Sequence, residues 1–208
     1  MKLCELFEDK GHQANKIVAI LPGRFQPPHV GHLHGYLNLV NKFGAHNTYI
    51  TMTDKINPEN SPFSYDERKE IFNKMLGVPS DKIIKVAKQY NVTELARIMN
   101  LQDDTALVFA VSEKDVAENR FSLGKTKDGS DSYMMKYKDD FVVPFPEHSY
   151  IEEHPTTKFS FDGKILDSAS QLRELFRTLS DNKKKELFEE MYGVFDERIF
   201  KVFLDRLC

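Results

Sequence analysis

Residues Gly23 to Gly35 read GRFQPPHVGHLHG, which places histidines at 29, 32 and 34. Imidazole donates, accepts and titrates near neutral pH, so clustered histidines can serve as metal ligands, as acids and bases, or as donors to an anion. His29 and His32 are three residues apart, the spacing that puts two side chains on one helix face. His34 points off that face, and neither a cysteine nor a carboxylate stands near enough in the sequence to complete a tetrahedral zinc site. Gly31, between the histidines, has no side chain and would let a phosphate approach the backbone. Paired capping or packing histidines are the plainer alternative. The chemistry that uses the whole pattern is the holding of phosphate.

That chemistry needs an address. The run IVAIL (17–21) is apolar on both faces, as a central parallel strand is. Val30, Leu33, Leu37 and Val40 follow at helical spacing and predict a helix over 28–42, with Pro27 and Pro28 at its start, where a missing N–H costs little. The histidines then sit where a strand turns into a helix, at the carboxyl edge of a sheet, where open α/β folds bind ligands. A helix N-terminus there offers unpaired N–H groups and a partial positive charge. Neither G-x-x-x-x-G-K-[ST] nor a post-strand G-x-G-x-x-G is present, so the segment is neither a P-loop nor a dinucleotide fingerprint.

Strands are expected at 47–54, 83–87 and 105–111, alternating with helices at 64–76, where Ser64 and Glu67 form a capping box, and at 93–100. This alternation predicts a Rossmann-like α/β fold with a parallel sheet flanked by helices. Further on, 141–145, 149–154 and 158–166 look like short β pieces, with a hairpin turn at Asp162–Gly163. Residues 122–132 read as a polar, mobile loop that could order over a bound nucleotide. Ser168 and Gln171 suggest a second capping box, opening a helix to about 179. Ser180 would cap a helix ended by Gly193, and 196–207 is a final amphipathic helix. Residues 1–15 suggest a short amphipathic helix. The expected division is an N-terminal segment (1–15), a core domain (16–179) and a C-terminal helical extension (180–208).

The chain has 208 residues, a net charge of -3, two cysteines (Cys4 and Cys208) and no tryptophan. The charge gives no basic field, so nucleic acid is not an expected partner, and the lysines at 183–185 read as a solvated helix face. Sparse cysteines, no leader-like segment and no long apolar run predict a cytoplasmic protein without membrane contact. A homo-oligomer stays open.

The segment His29-Val30-Gly31-His32 resembles the H-x-G-H signature of the nucleotidylyltransferase superfamily, the cytidylyltransferase-like proteins. SPFSYDERKEIF (61–72) is similar to the N-P-F-T-x-x-E-R segment of archaeal-type nicotinamide-nucleotide adenylyltransferases, and SASQLREL (168–175) to the [ST]-[GS]-[ST]-x-x-R segment that closes their nucleotide site. The resemblance runs over about 16–179, and similar proteins also occur in large tailed phages.

The resemblance implies an HUP-type core and an enzyme that transfers a nucleoside monophosphate, AMP from ATP, to a phosphorylated acceptor such as nicotinamide mononucleotide, releasing pyrophosphate. It assigns catalysis to His29, His32 and Arg24, and nucleotide binding to Gly23, Arg24, Phe25, His29, Gly31, His32, Ser168, Ser170 and Arg173. Ser112, Asp115 and Arg68 fall to the acceptor. Mg²⁺ would be carried by the phosphates, with no protein metal ligand. Arg68 and Arg173 could instead make surface ion pairs, and Ser168 could be only a cap. SEKD (112–115) departs from the family's Ser-Gly-Asn-like element, and the missing tryptophan removes a usual nicotinamide stack. Two other functions fit the same fold: a CTP-dependent cytidylyltransferase, and a nucleotide-binding or structural protein without turnover.

Overall fold

The computed structural model describes residues 13–118, 129–130, 132–139, 142–155, 158–166 and 168–208. The apolar run after residue 16 forms β1 (Lys16–Pro22), which pairs in parallel with β2 (Thr48–Met52) on one side and β4 (Thr105–Ser112) on the other. Outside β2 lies β3 (Ile83–Lys85), and outside β4 lie β6 (Ser149–His154) and then β5 (Met134–Lys136). The order β3-β2-β1-β4-β6-β5, parallel throughout, reverses direction between β1 and β4. That reversal is the switch point at which open α/β sheets form a crevice.

Alternation along β1 feeds two layers. Ala19 and Leu21 pack with α1 (Val30–Phe43), α2 (Tyr65–Leu76), α5 (Ala169–Thr178), α6 (Asp181–Tyr192) and α7 (Glu197–Leu207). Val18 and Ile20 face the other way, toward Leu95 of α3 (Val92–Met99). The short α4 (Glu113–Ala117) follows β4 directly. The expected capping box at α2 is present, with Glu67 N–H donating to Ser64 Oγ and Ser64 N–H to Glu67 Oε2. β7 (Phe159–Phe161) and β8 (Lys164–Leu166) form the hairpin, with Asp162 (φ 46) and Gly163 (φ 74) both left-handed, as a type I′ turn requires. Helices α6 and α7 share the main core through Phe188, Phe200 and Phe203.

Several expectations are corrected. Helix α1 begins at Val30, and Pro27 and Pro28 precede its cap at His29 instead of occupying its first turn. Residues 142–145 form no strand, because Pro144 has no N–H for a ladder; Val142 and Val143 are nevertheless buried. Strand β5 and helix α4 were not anticipated, and Met134-Met135-Lys136 is too short to carry a period. Ser180 stands at the cap of α6 but makes no side-chain cap bond, while Gly193 (φ 72) ends that helix as expected. Residues 13–15 are not helical: Ala14 and Asn15 donate to the Val142 and Asp104 carbonyls. The rest of the expected N-terminal helix (1–12) lies outside the described residues, as does most of the expected loop at 122–132.

Candidate active site

The chain leaves β1 through a turn that the sequence builds tightly. Gly23 donates to the Thr51 carbonyl (3.1 Å), and a Cβ at Gly23 would stand 2.4 Å from the Phe25 ring. Glycine is therefore required so that Phe25, in a left-handed conformation (φ 49), can fold its ring inward. The buried ring packs edge-on against His32 (4.8 Å) and Phe72 (5.0 Å). Gly23 and Phe25, expected at the nucleotide, thus shape the turn, and their side-chain positions serve packing.

His29 and His32 cap the helix with one another. Gly31 N–H donates to His29 Nδ1 (3.1 Å), while His29 N–H donates to His32 Nδ1 (3.2 Å). This is a capping box in which imidazoles replace the usual hydroxyl and carboxylate. A nitrogen that accepts from an N–H carries no proton, so in each neutral ring the proton sits on Nε2. The rings lie 3.8 Å apart. Burial pulls the His29 pKa down to about 4. Burial, with the neighbouring His29 and His154, holds His32 well below the ordinary histidine value. Two neutral imidazoles, each with its proton on Nε2, therefore stand at a helix N-terminus. His34 is exposed on the far side, as the spacing implied.

Two buried arginines fix the surrounding loops. Arg173, from the first turns of α5, donates through Nη1 to the Gln26 carbonyl (2.6 Å) and through Nη2 to Ser170 Oγ (3.3 Å). Its Nε is buried without a partner among the described residues. Burial, then the charges of Arg177 and Arg24, lowers its pKa. A positive, under-satisfied guanidinium beside Arg24 is a place where an anion gains energy. Arg68 is 1% exposed and donates to the carbonyls of Ser64 (3.0 Å), Arg24 (2.7 Å) and Thr53 (2.6 Å). Three of its donors are thus spent on the backbone, and its evident work is to hold the loops after β1 and β2. Gln26, which the sequence reading passed over, clamps Phe63 by exchanging two 2.9 Å bonds with its backbone.

Between these loops lies a cavity of about 260 Å³ lined by Arg24, Gln26, Thr53, Lys55, Asn57 and Arg68 among others. Among the described residues, its lining contains three cationic residues, no carboxylate and no aromatic ring. At the ends of β4 and α5 stand the other expected residues. Ser112 caps α4, donating to Asp115 Oδ2 (2.8 Å) and accepting from Asp115 N–H (3.2 Å). Ser168 caps α5 by accepting from Gln171 N–H (3.4 Å), which leaves Ser170 exposed in its first turn beside Arg173. Arg24 is exposed at the cavity.

The C-terminal helices reach this site as well. The Tyr192 hydroxyl donates to the Pro28 carbonyl (2.6 Å), one residue before His29, and burial raises its pKa well above the usual tyrosine value. Arg206 of α7 donates twice to Glu67 Oε1 (2.9 and 2.8 Å), next to Arg68 on α2. Nothing in the sequence pointed to Tyr192, whose partner lies 164 positions away. Among the described residues, no group of three or more His, Cys, Asp or Glu side chains is placed to hold a metal, and no helix is long and apolar enough to cross a membrane.

Residues 20–158 match the family model for cytidylyltransferase-like proteins. Among solved structures, the chain is similar to Plasmodium falciparum nicotinic acid mononucleotide adenylyltransferase complexed with APC (TM-score 0.50, 12% identity, 91% of this chain and 95% of that one). The same enzyme complexed with NaAD gives the same values. A bifunctional NMN adenylyltransferase/ADP ribose pyrophosphatase from Francisella tularensis matches with a TM-score of 0.48 and 17% identity, over 91% of this chain and 49% of that one. The first two share the fold. No curated protein sequence matches at a significant level.

Proposed function

The chain belongs to the cytidylyltransferase-like family, and we propose that it transfers AMP from ATP to a phosphate monoester, with pyrophosphate as the second product. The carrying observation is the reciprocal cap: both Nδ1 atoms accept from backbone N–H groups, so His29 and His32 direct neutral Nε2–H donors from a helix N-terminus. An acceptor phosphate oxygen would bond to the α-phosphorus as the bond to the bridging oxygen breaks, and pyrophosphate takes the electron pair. No protein nucleophile is needed, so the protein's part is orientation and charge stabilisation. His29 and His32 would donate to phosphate oxygens as charge moves onto the leaving group. Arg173, with its unpartnered Nε, and Arg24 would bind the same oxygens, with Ser168 and Ser170 at the opposing helix start. Mg²⁺ would bind through the phosphates and would offset charge on the triphosphate.

The cationic cavity beside Arg24 suits the acceptor's phosphate, with Lys55 and Arg24 as its contacts and Arg68 fixing the loops around it. Its lack of an aromatic wall favours no stacked ring there. Ser112 and Asp115 would contact the rest of the acceptor at the end of β4. Nicotinamide mononucleotide is the first acceptor to try, together with nicotinic acid mononucleotide, since both Plasmodium structures are of a nicotinic acid mononucleotide adenylyltransferase. The two sparse cysteines support a cytoplasmic site of action. The test is pyrophosphate release with Mg²⁺, ATP or CTP, and a panel of phosphate monoesters headed by nicotinamide mononucleotide. ATP turnover lost in His29→Ala supports the reading. Turnover with CTP and an alcohol phosphate alone would replace it with the cytidylyl reaction after which the family is described. Nucleotide binding with no turnover would leave a binding protein.

A further inference from the structure

The histidine stretch ends on Gly35, a glycine inside a helix. Gly35 is buried in α1, three residues beyond His32. A Cβ there would lie 3.4 Å from Cε1 and 3.6 Å from Nδ1 of His154. The His154 ring thus rests on the helix at Gly35, at the distance of ordinary van der Waals contact for a Cβ. Along β6 the faces alternate: Glu153 pairs with Lys136 (2.8 Å), whereas Glu152 takes Lys42 of α1 (2.9 Å). His154, two residues on, therefore shares the α1 face with Glu152. It is the last residue of β6 and stands in register with Ser112, the last residue of β4. His154 thus lies at the carboxyl edge, one helical turn from His32 and close enough to it for their charges to interact.

Its hydrogen bond differs from those of the other two rings. His154 Nδ1 lies 3.1 Å from the Pro155 carbonyl. A carbonyl only accepts, so Nδ1 carries the proton, and Nε2 becomes a second donor when the ring is protonated. His29 and His32 use Nδ1 as an acceptor and cannot add a proton there without breaking the cap. His154 is also only partly buried. The titratable and charged groups along its seam with α1 are His32, held neutral by burial, and, farther down, Lys42 with Glu152 and Asp139.

We propose that His154 is a third histidine of the phosphate site, which protonates when an anion arrives and donates through Nε2 to the phosphates that leave as pyrophosphate. This rests on the nucleotidyl-transfer reading, and binding of inorganic pyrophosphate separates the two. Calorimetry on wild type, His29→Ala, His154→Ala and His154→Gln at pH 6 and pH 8 is the experiment. His154→Ala should weaken pyrophosphate about 10- to 100-fold at pH 6, the loss expected for one charged hydrogen bond, and less at pH 8. His154→Gln should remain folded and lose the pH dependence. In wild type, the His154 ring resonance should shift downfield on saturation with pyrophosphate. If both His154 variants bind as wild type while His29→Ala does not, or if that resonance does not move, the assignment falls and nucleotidyl transfer stands. If folded wild type binds no pyrophosphate, both fall.

Discussion

Acid should weaken this fold through His29 in a pH window where few carboxylates act. The ring has an ordinary pKa of 6.5 and a folded value of about 4 because it is buried. Between those values the unfolded chain binds a proton that the folded chain does not, so stability falls as pH falls through the window and is flat above it. At pH 5 the loss from this one residue is about 2 kcal/mol, from one and a half pH units at 1.36 kcal/mol each. His32 shifts in the same direction and adds to it. The depressed carboxylates Asp54 and Glu67 lose their contribution lower, below the ordinary values of 3.8 and 4.5. The assay is urea unfolding at pH 7.5, 6 and 5 for wild type and His29→Asn. Asparagine keeps a cap acceptor but does not titrate. The variant's profile should be flatter by about 2 kcal/mol between pH 7.5 and 5. Parallel profiles would show that His29 is not held neutral and would remove the premise of neutral donors.

Two further changes probe the supports of the site. Tyr192→Phe keeps the ring but removes the bond to the Pro28 carbonyl; it should cost about 1 kcal/mol in unfolding and lower kcat about tenfold with KM unchanged, because misplaced donors cost rate. Unaltered kcat would confine Tyr192 to packing. Arg68→Lys cannot span the three carbonyls of Ser64, Arg24 and Thr53 and should lose about 3 kcal/mol in urea unfolding; full stability would mean that the fork is not needed.

The parallel core was legible because burial on both faces leaves a direct mark: short apolar runs such as IVAIL and ALVFAV, bounded by polar or turn residues, suit central strands. The capping serines announced α2 and α5 by local chemistry. The histidine turn was legible as a place, but its internal arrangement was not. Spacing put His29 and His32 on one helix face, whereas His29 is the cap, and each Nδ1 accepts from a backbone N–H, that of Gly31 for His29 and that of His29 for His32. Arg68 and Arg173 looked like helix arginines with a choice of surface partners. What decides their conformation is the set of carbonyls that loops from distant parts of the chain bring to them. Tyr192 and His154 were passed over for the same reason: their partners are close only in the folded chain.

The site's precision comes from side-chain donors, because its loops lack ladder bonds. The turn 23–28 lies between a strand and a helix, and its carbonyls must find partners or face burial unpaired. Arg68 takes the carbonyl of Arg24, Arg173 that of Gln26 and Tyr192 that of Pro28. Three elements, α2, α5 and the end of α6, thus each hold one carbonyl of the turn that delivers His29. Arg206 joins α7 to this set through Glu67, beside Arg68. The aromatic contacts of Phe203 with Phe63 (5.0 Å) and Phe188 (5.2 Å) bind the same helices from within the core. Loosening the C-terminal helices should therefore disturb the histidines before it disturbs the sheet. The sheet's central pairs, β1 with β2 and β4, share that core but are also held to one another by parallel ladders, which the turn lacks.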